Sequence, residues 1–176
     1  MDAMATGSTD MAEETIDEVE FRAVLSHFAT GVVVVTGSTP DGPAGLTCQS
    51  FSSLSLDPPL VLLSIARASL SWPRIRDTGR FAVNVLSSGQ VDVSTAFAAS
   101  GGDKFANVDW HPGLFGNPLL AGSLAQLECD LHAVHPGGDH EIVVGRVRAL
   151  AAVPQLESPS PLVFFRSAYR TLSPGS

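Results

Sequence analysis

Cysteine is scarce in this chain. Cys48 and Cys129 are the only two in 176 residues, too few for a disulfide framework or a thiolate zinc cluster. Lysine is scarcer, with Lys104 alone among ten basic residues. No apolar run reaches the roughly 18 residues a spanning helix needs. Met1 to Asp10 lacks the basic and apolar regions of a signal peptide, which predicts a cytoplasmic chain. Several motifs are missing as well. There is no GxGxxG and no GxxxxGK[ST], so a Rossmann site or a Walker ATPase is not expected. No GxSxG marks a nucleophile elbow. The run from His140 to Val144 is not HExxH, because position 144 is valine. His132, His135 and His140 have no metal-ligand spacing, so no metal site is expected.

Basic excess is absent too. The net charge is −8, but the first 20 residues carry seven acids and no base. The remaining 156 residues hold 11 acids against 10 bases, a sum of −1. A body without positive charge argues against nucleic-acid binding. Residues 1–16 read as a flexible acidic leader, and 17–172 as a single domain.

What is present is mostly strand signal. A helix is expected first, with Asp17 and Glu20 as a capping box and Phe21, Val24, Leu25 and Phe28 at helical spacing, ended by Gly31. Val32 to Thr36 is a β-branched run suited to a buried strand. Thr39-Pro40-Asp41-Gly42-Pro43 is a turn, and Ala44 to Phe51 is its partner strand. Further strands are expected at Leu60–Ile65, Phe81–Leu86, Gln126–Val134, Glu141–Val147 and Leu162–Phe165. Short helices fit Trp72–Asp77, closed by Gly79, and Val91–Ala99. Residues 101–123, rich in Gly, Pro and Asn, read as a long surface loop. Many strands and few helices predict a mostly β, closed or nearly closed barrel.

Three segments could bear chemistry. Gly45 to Leu60 is dense in hydroxyl and amide groups. It is either a solvated serine-rich stretch or a polar cradle for a heterocycle. Ser69 and Ser71 precede Pro73 at a helix start, where they either cap the helix or hold a phosphate, with Arg67 or Lys104 for charge. His140 opens a strand after a glycine turn. It either bonds Asp139 or contacts a substrate at the barrel mouth. Arg166 ends an aromatic strand where a cation could meet an anion.

In this order and spacing the pieces resemble the flavin reductase-like family with the FMN-binding split barrel. They are Phe28-Ala29-Thr30-Gly31-Val32, Gly45 through Leu60, Gly79 through Leu86, Asp103-Lys104-Phe105, Gly138-Asp139-His140 with Gly145, and Pro161 through Arg166. Cys48 to Phe51, Asp109-Trp110 and His135 to His140 resemble reductases serving aromatic-ring and steroid-phenol hydroxylases. The resemblance implies a split β-barrel of Greek-key-like order. It implies an NAD(P)H:flavin oxidoreductase that passes hydride from NADH to FMN or FAD and supplies reduced flavin to a separate monooxygenase. Pro43, Ala44, Gly45, Leu46 and Thr47, with Gln49 and Ser50, would line the isoalloxazine and ribityl. Ser64, Ile65 and Ala66 would flank the flavin. Ser69, Leu70 and Ser71 would hold the phosphate, with Lys104 and Phe105 nearby. His140, as the catalytic contact, and Phe164, Phe165, Arg166 and Ser167 would meet the nicotinamide nucleotide. Family members are homodimers. Leu70 departs from the charged or polar residue often found there. Two alternatives stand beside this reading: a flavin-binding or sensor module that reduces nothing quickly, and a split-barrel oxidase of a small amine.

Overall fold

The computed structural model describes residues 15–152 and 160–172. The acidic leader expected over residues 1–16 lies, up to residue 14, outside the described residues.

Helix α1 spans Glu18–Leu25. Asp17 caps it, accepting the Glu20 amide at 2.9 Å, as the capping pattern predicts. The helix ends earlier than expected: Ser26 is its C-cap, and tighter turns follow through Phe28. Gly31, the expected stop, instead belongs to a two-residue strand, β1 (Thr30–Gly31). Phe21, Val24, Leu25 and Phe28 all remain more than half exposed.

The main sheet has seven antiparallel strands. In chain order they are β2 (Val33–Thr39), β3 (Gly42–Cys48), β4 (Ser52–Leu56), β5 (Pro59–Ala66), β6 (Arg80–Val85), β9 (Ala125–Gly137) and β10 (His140–Ala152). Their spatial order is β3-β2-β6-β9-β10-β5-β4. Strands β2 and β6, and β5 and β10, pair across long connections, which is the Greek-key-like order. Pro40-Asp41 turns β2 into β3, and Gly42 sits at φ +103°, a conformation glycine adopts without strain. Register shifts in β10 after Val144 and Val147 bend the long β9–β10 hairpin around the core.

The valine run is apolar throughout because both faces of β2 are covered. Val33 and Val35 point into the core with Leu63, Ile65, Phe81 and Val143. Helix α2 (Trp72–Arg76) closes that core with Trp72 and Ile75. Val32 and Val34 point the other way, beneath Phe97 of helix α3 (Val91–Ala98), Leu120 and Leu162. Strands β11 (Val163–Phe165) and β12 (Ala168–Arg170) join β1 in a small second sheet.

The expected loop over 101–123 contains a short hairpin instead, β7 (Trp110–Pro112) and β8 (Pro118–Leu120). Asn117, Leu120 and Ser123 are buried. Buried polar side chains of the main sheet bind this hairpin. Thr36 donates to the Pro118 carbonyl at 2.6 Å, and Asn84 accepts the Leu120 amide at 2.8 Å. Gln126 donates to the Leu120 carbonyl at 2.8 Å. The Glu128 carboxylate, 3% exposed, accepts the amides of Leu114 at 2.7 Å and Phe115 at 3.0 Å.

Glu128→Ala leaves two amides without their carboxylate, so it lowers unfolding free energy by about 2–3 kcal/mol. A urea titration checks this, and an unchanged midpoint would refute it. Cys129 supplies a pH signature. Burial, then the charges of Asp130 and Glu128, push its thiol from 9.0 up to about 12. The folded chain therefore keeps a proton that the unfolded chain releases above pH 9. Stability falls as pH rises through that window, by up to about 1.4 kcal/mol per pH unit. Cys129→Ala should flatten the slope.

Candidate functional site

The main sheet does not close through a backbone ladder between β3 and β5. Where the chain leaves β3, the Ser50 hydroxyl takes over. It accepts the Ser64 amide at 2.8 Å and donates to the Ser64 carbonyl at 2.7 Å. The Cys48 thiol lies 3.0 Å from the same hydroxyl, and burial pushes that thiol up. The Cys48 thiol also donates to the Ser64 carbonyl at 3.7 Å, so two neighbouring side chains bridge the split, Ser50 with the shorter bonds.

A cavity of about 580 Å³ opens along this split, within the range that holds a nucleotide-sized ligand. Leu46, Thr47, Gln49 and Ser50 form one wall and Ser64, Ile65 and Ala66 the facing wall. Ser69, Leu70, Ser71 and Lys104 close one end, and His140 and Phe164 line it as well. Pro43, Ala44, Gly45 and Phe105 line a smaller pocket next to it. Ser167 lies with Phe164 on a separate groove beside α1. Phe165 and Arg166 line none of these three cavities. Arg166 and Ser167 form the β11–β12 turn at φ 50° and 58°.

Several polar groups are already committed inside the protein. Thr47 donates to the Ser94 carbonyl at 2.6 Å, so its oxygen, like that of Ser50, offers a ligand only acceptance. Ser69 accepts the Trp72 amide at 3.2 Å and keeps its own proton. Ser71 makes no side-chain cap. His140 Nδ1 pairs with Asp139 at 2.7 Å, which leaves Nε2 free of that bond. Lys104 Nζ donates to the carbonyls of Phe97 at 3.0 Å and Gly45 at 3.2 Å. Desolvation lowers its pKa. Beneath His140, Glu141 accepts from Trp72 Nε1 at 2.7 Å and from Arg76 at 3.2 Å. That ties β10 to α2.

Phe97, Ala98, Ala99, Ser100, Gly101 and Tyr169 also line the cavity, and the sequence reading missed them. Tyr169 Oη bonds Ser94 at 2.9 Å. Its ring packs edge-on against Phe164, with centroids 5.3 Å apart. A lone tyrosine beside an aromatic strand was the available signal. Gly45 is needed here for space, because a Cβ would enter the Phe97 ring.

An antiparallel split barrel with a hydroxyl-lined cavity along its opening, holding a single lysine, defines a class of protein that takes a planar heterocyclic nucleotide. The chain belongs to the flavin reductase like domain family, which matches residues 25–173. It is 47% identical over 159 residues to the reductase subunit HsaB of a flavin-dependent monooxygenase from Mycobacterium tuberculosis, covering 90% of this chain and 84% of that one. It is 43% identical over 153 residues to the FMN reductase (NADH) SmoA of Agrobacterium fabrum, covering 87% and 85%. A solved structure of the NADH:FAD oxidoreductase SgcE6 of Streptomyces globisporus, in complex with NAD and FAD fragments, superposes with a TM-score of 0.84. Its identity is 38%, with 90% of this chain and 94% of that one covered.

Ser50→Ala removes the two short bonds across the split and leaves the longer Cys48 Sγ contact with the Ser64 carbonyl. Ser50 is solvent-exposed, so water replaces part of the loss and stability falls by only about 1 kcal/mol. Amide exchange at Ser64 should rise sharply while β2 and β6 stay protected; an unchanged Ser64 rate would remove the bridge from the account.

Proposed function

We propose that this chain is an NADH-dependent flavin reductase that supplies reduced flavin to a separate monooxygenase. The carrying observation is the cavity in the barrel split, walled by Leu46–Ser50 and Ser64–Ala66 and ended by Ser69–Ser71 and Lys104. The donor set suits a flavin: backbone and Gln49 groups for ring heteroatoms, hydroxyls and one cation for the phosphate end. A bound flavin supplies the hydride-accepting ring, and NADH the hydride. The chain's own part is to stack and orient. The walls are strand residues, Phe164 and Tyr169 exclude water from one side, and His140 presents a hydrogen-bonding nitrogen that Asp139 fixes. No general base or nucleophile is required.

The exposed apolar face of α1 supports a homodimer. It borders a groove of about 910 Å³ lined by Phe21, Leu25, Phe28, Phe51 and Phe164. A second copy seated there would cover the groove beside the cavity. No helix among the described residues is long and apolar enough to cross a membrane. Use of NADH as donor supports a cytoplasmic reaction.

Purified protein should oxidise NADH rapidly when free flavin is added, followed at the nicotinamide absorbance band. Flavin binding without NADH oxidation would overturn the reading in favour of a flavin carrier. His140→Ala should raise KM for NADH about tenfold, the value of one good hydrogen bond to a charged ligand, and leave flavin affinity in place.

A further inference from the structure

We infer that Glu141 is a positioning residue for the nicotinamide nucleotide: through Trp72 and Arg76 it holds His140 at a fixed setting from the far end of the cavity. This rests on the reading of His140 as the nicotinamide contact. Successive strand residues face opposite ways. His140 accordingly lines the cavity, while Glu141 lines neither it, nor the pocket beside it, nor the α1 groove.

His140 emerges where the main sheet holds it least. It is the first residue of β10, directly after the Gly138–Asp139 turn, with Gly138 at φ +72°. Asp139, which fixes Nδ1 of the imidazole, has a side chain 91% exposed, so packing does not hold that end. The β5 residue opposite His140 is Ala66, the last of its strand. On the other side, Pro136 faces Glu141 and has no N–H to give the ladder.

The Glu141 carboxylate supplies an anchor from below. One oxygen accepts Trp72 Nε1 at 2.7 Å and the other accepts Arg76 Nη1 at 3.2 Å. Bonds to an ionised carboxylate are the stronger kind, and this side chain is only 20% exposed. Both donors belong to α2, which is seated in the core by the buried Trp72 and Ile75. The Trp72 ring packs edge-on against Phe81, with centroids 6.2 Å apart.

Trp72 carries the connection further. Its backbone amide donates to Ser69 Oγ at 3.2 Å, and Ser69 lines the cavity. One tryptophan therefore joins, through its two N–H groups, a hydroxyl at one end of the cavity and the carboxylate beneath His140. Two stacked rings react only near attack distance, and an error of about 1 Å can cost about 100-fold. A fixed separation between these two ends sets that distance before either ligand arrives.

Calorimetric titration of NAD+ into the full chain saturated with riboflavin tests this without turnover. Glu141→Gln keeps an acceptor for the indole and loses the ion pair to Arg76, so it should weaken NAD+ about fivefold. Glu141→Ala loses both bonds and should weaken NAD+ about tenfold, as much as His140→Ala. In the His140→Ala background, either substitution should change NAD+ affinity less than about twofold, because the group it positions is gone. Riboflavin affinity should stay within about twofold throughout. A merely structural role gives losses that multiply in the double variants. That result, or an unchanged NAD+ affinity in Glu141→Ala, overturns the positioning role. Should Glu141→Ala not fold, the glutamine variant carries the cycle by itself. No effect of His140→Ala overturns the reading of His140 beneath the inference, and failure of wild type to bind NAD+ overturns the nicotinamide reading as a whole.

Discussion

The structure depends on one incomplete closure. A sheet of seven antiparallel strands has β3 and β4 as its edges, and past the last β4–β5 pair, Ser52 with Leu62, no backbone ladder joins the end of β5 to β3. A closed barrel would have no edge and no cavity at this seam. An open one would leave two unpaired edges. The Ser50 hydroxyl resolves the conflict locally by offering Ser64 both an acceptor and a donor. The strands can then diverge on either side of that point without losing their register. The cavity is the space that divergence creates, walled by the end of β3 and by the part of β5 that extends past its pairing with β4.

That solution needs a firm frame elsewhere, and buried polar side chains provide it. Thr36, Asn84, Gln126 and Glu128 sit on strands that would ordinarily be apolar there. Each makes at least one hydrogen bond to the β7–β8 hairpin or its flanks, and Asn84 also ties β6 to β2 through Val34 and Thr36. An unsatisfied polar group at these positions would cost more than the bond contributes. The four therefore act as positional pins: hairpin and sheet fit in one arrangement only. Glu141 does the same at the cavity, where one carboxylate spans Trp72 and Arg76 and fixes α2 against the strand that begins with His140.

This division explains what was legible in the sequence. Val32 to Val35 shows a doubly buried strand, and Pro40 to Gly42 shows the turn that follows. The resemblance carried by the Gly45–Leu60 and Gly138–His140 segments points to the cavity walls. The β7–β8 hairpin was not legible, because its strands are three residues each and its partners are distant. Thr36 lies 82 residues from Pro118. Nor could composition tell which hydroxyls are free. Thr47 and Ser50 read as ligand donors, yet both protons are spent on backbone carbonyls. Tyr169 was missed because β12 is too short to carry a period.

The scarcity of charge in the cavity is consistent with its chemistry. Hydride transfer from a nicotinamide to a flavin would require no proton and no nucleophile from a side chain, so a cavity with few charged groups can still serve it. What a reductase feeding a second enzyme needs is orientation followed by release. Orientation comes from strand-borne walls and from side chains already locked by internal bonds, which lose little freedom when a ligand arrives. Release comes from the small number of charge-assisted contacts, since those hold ligands most strongly. Lys104 illustrates the balance. Its ammonium is tied to two backbone carbonyls and partly desolvated, so it shapes the end of the cavity first and attracts an anion second. Tight retention would demand more basic residues at that end, and the chain places its other nine outside the main cavity.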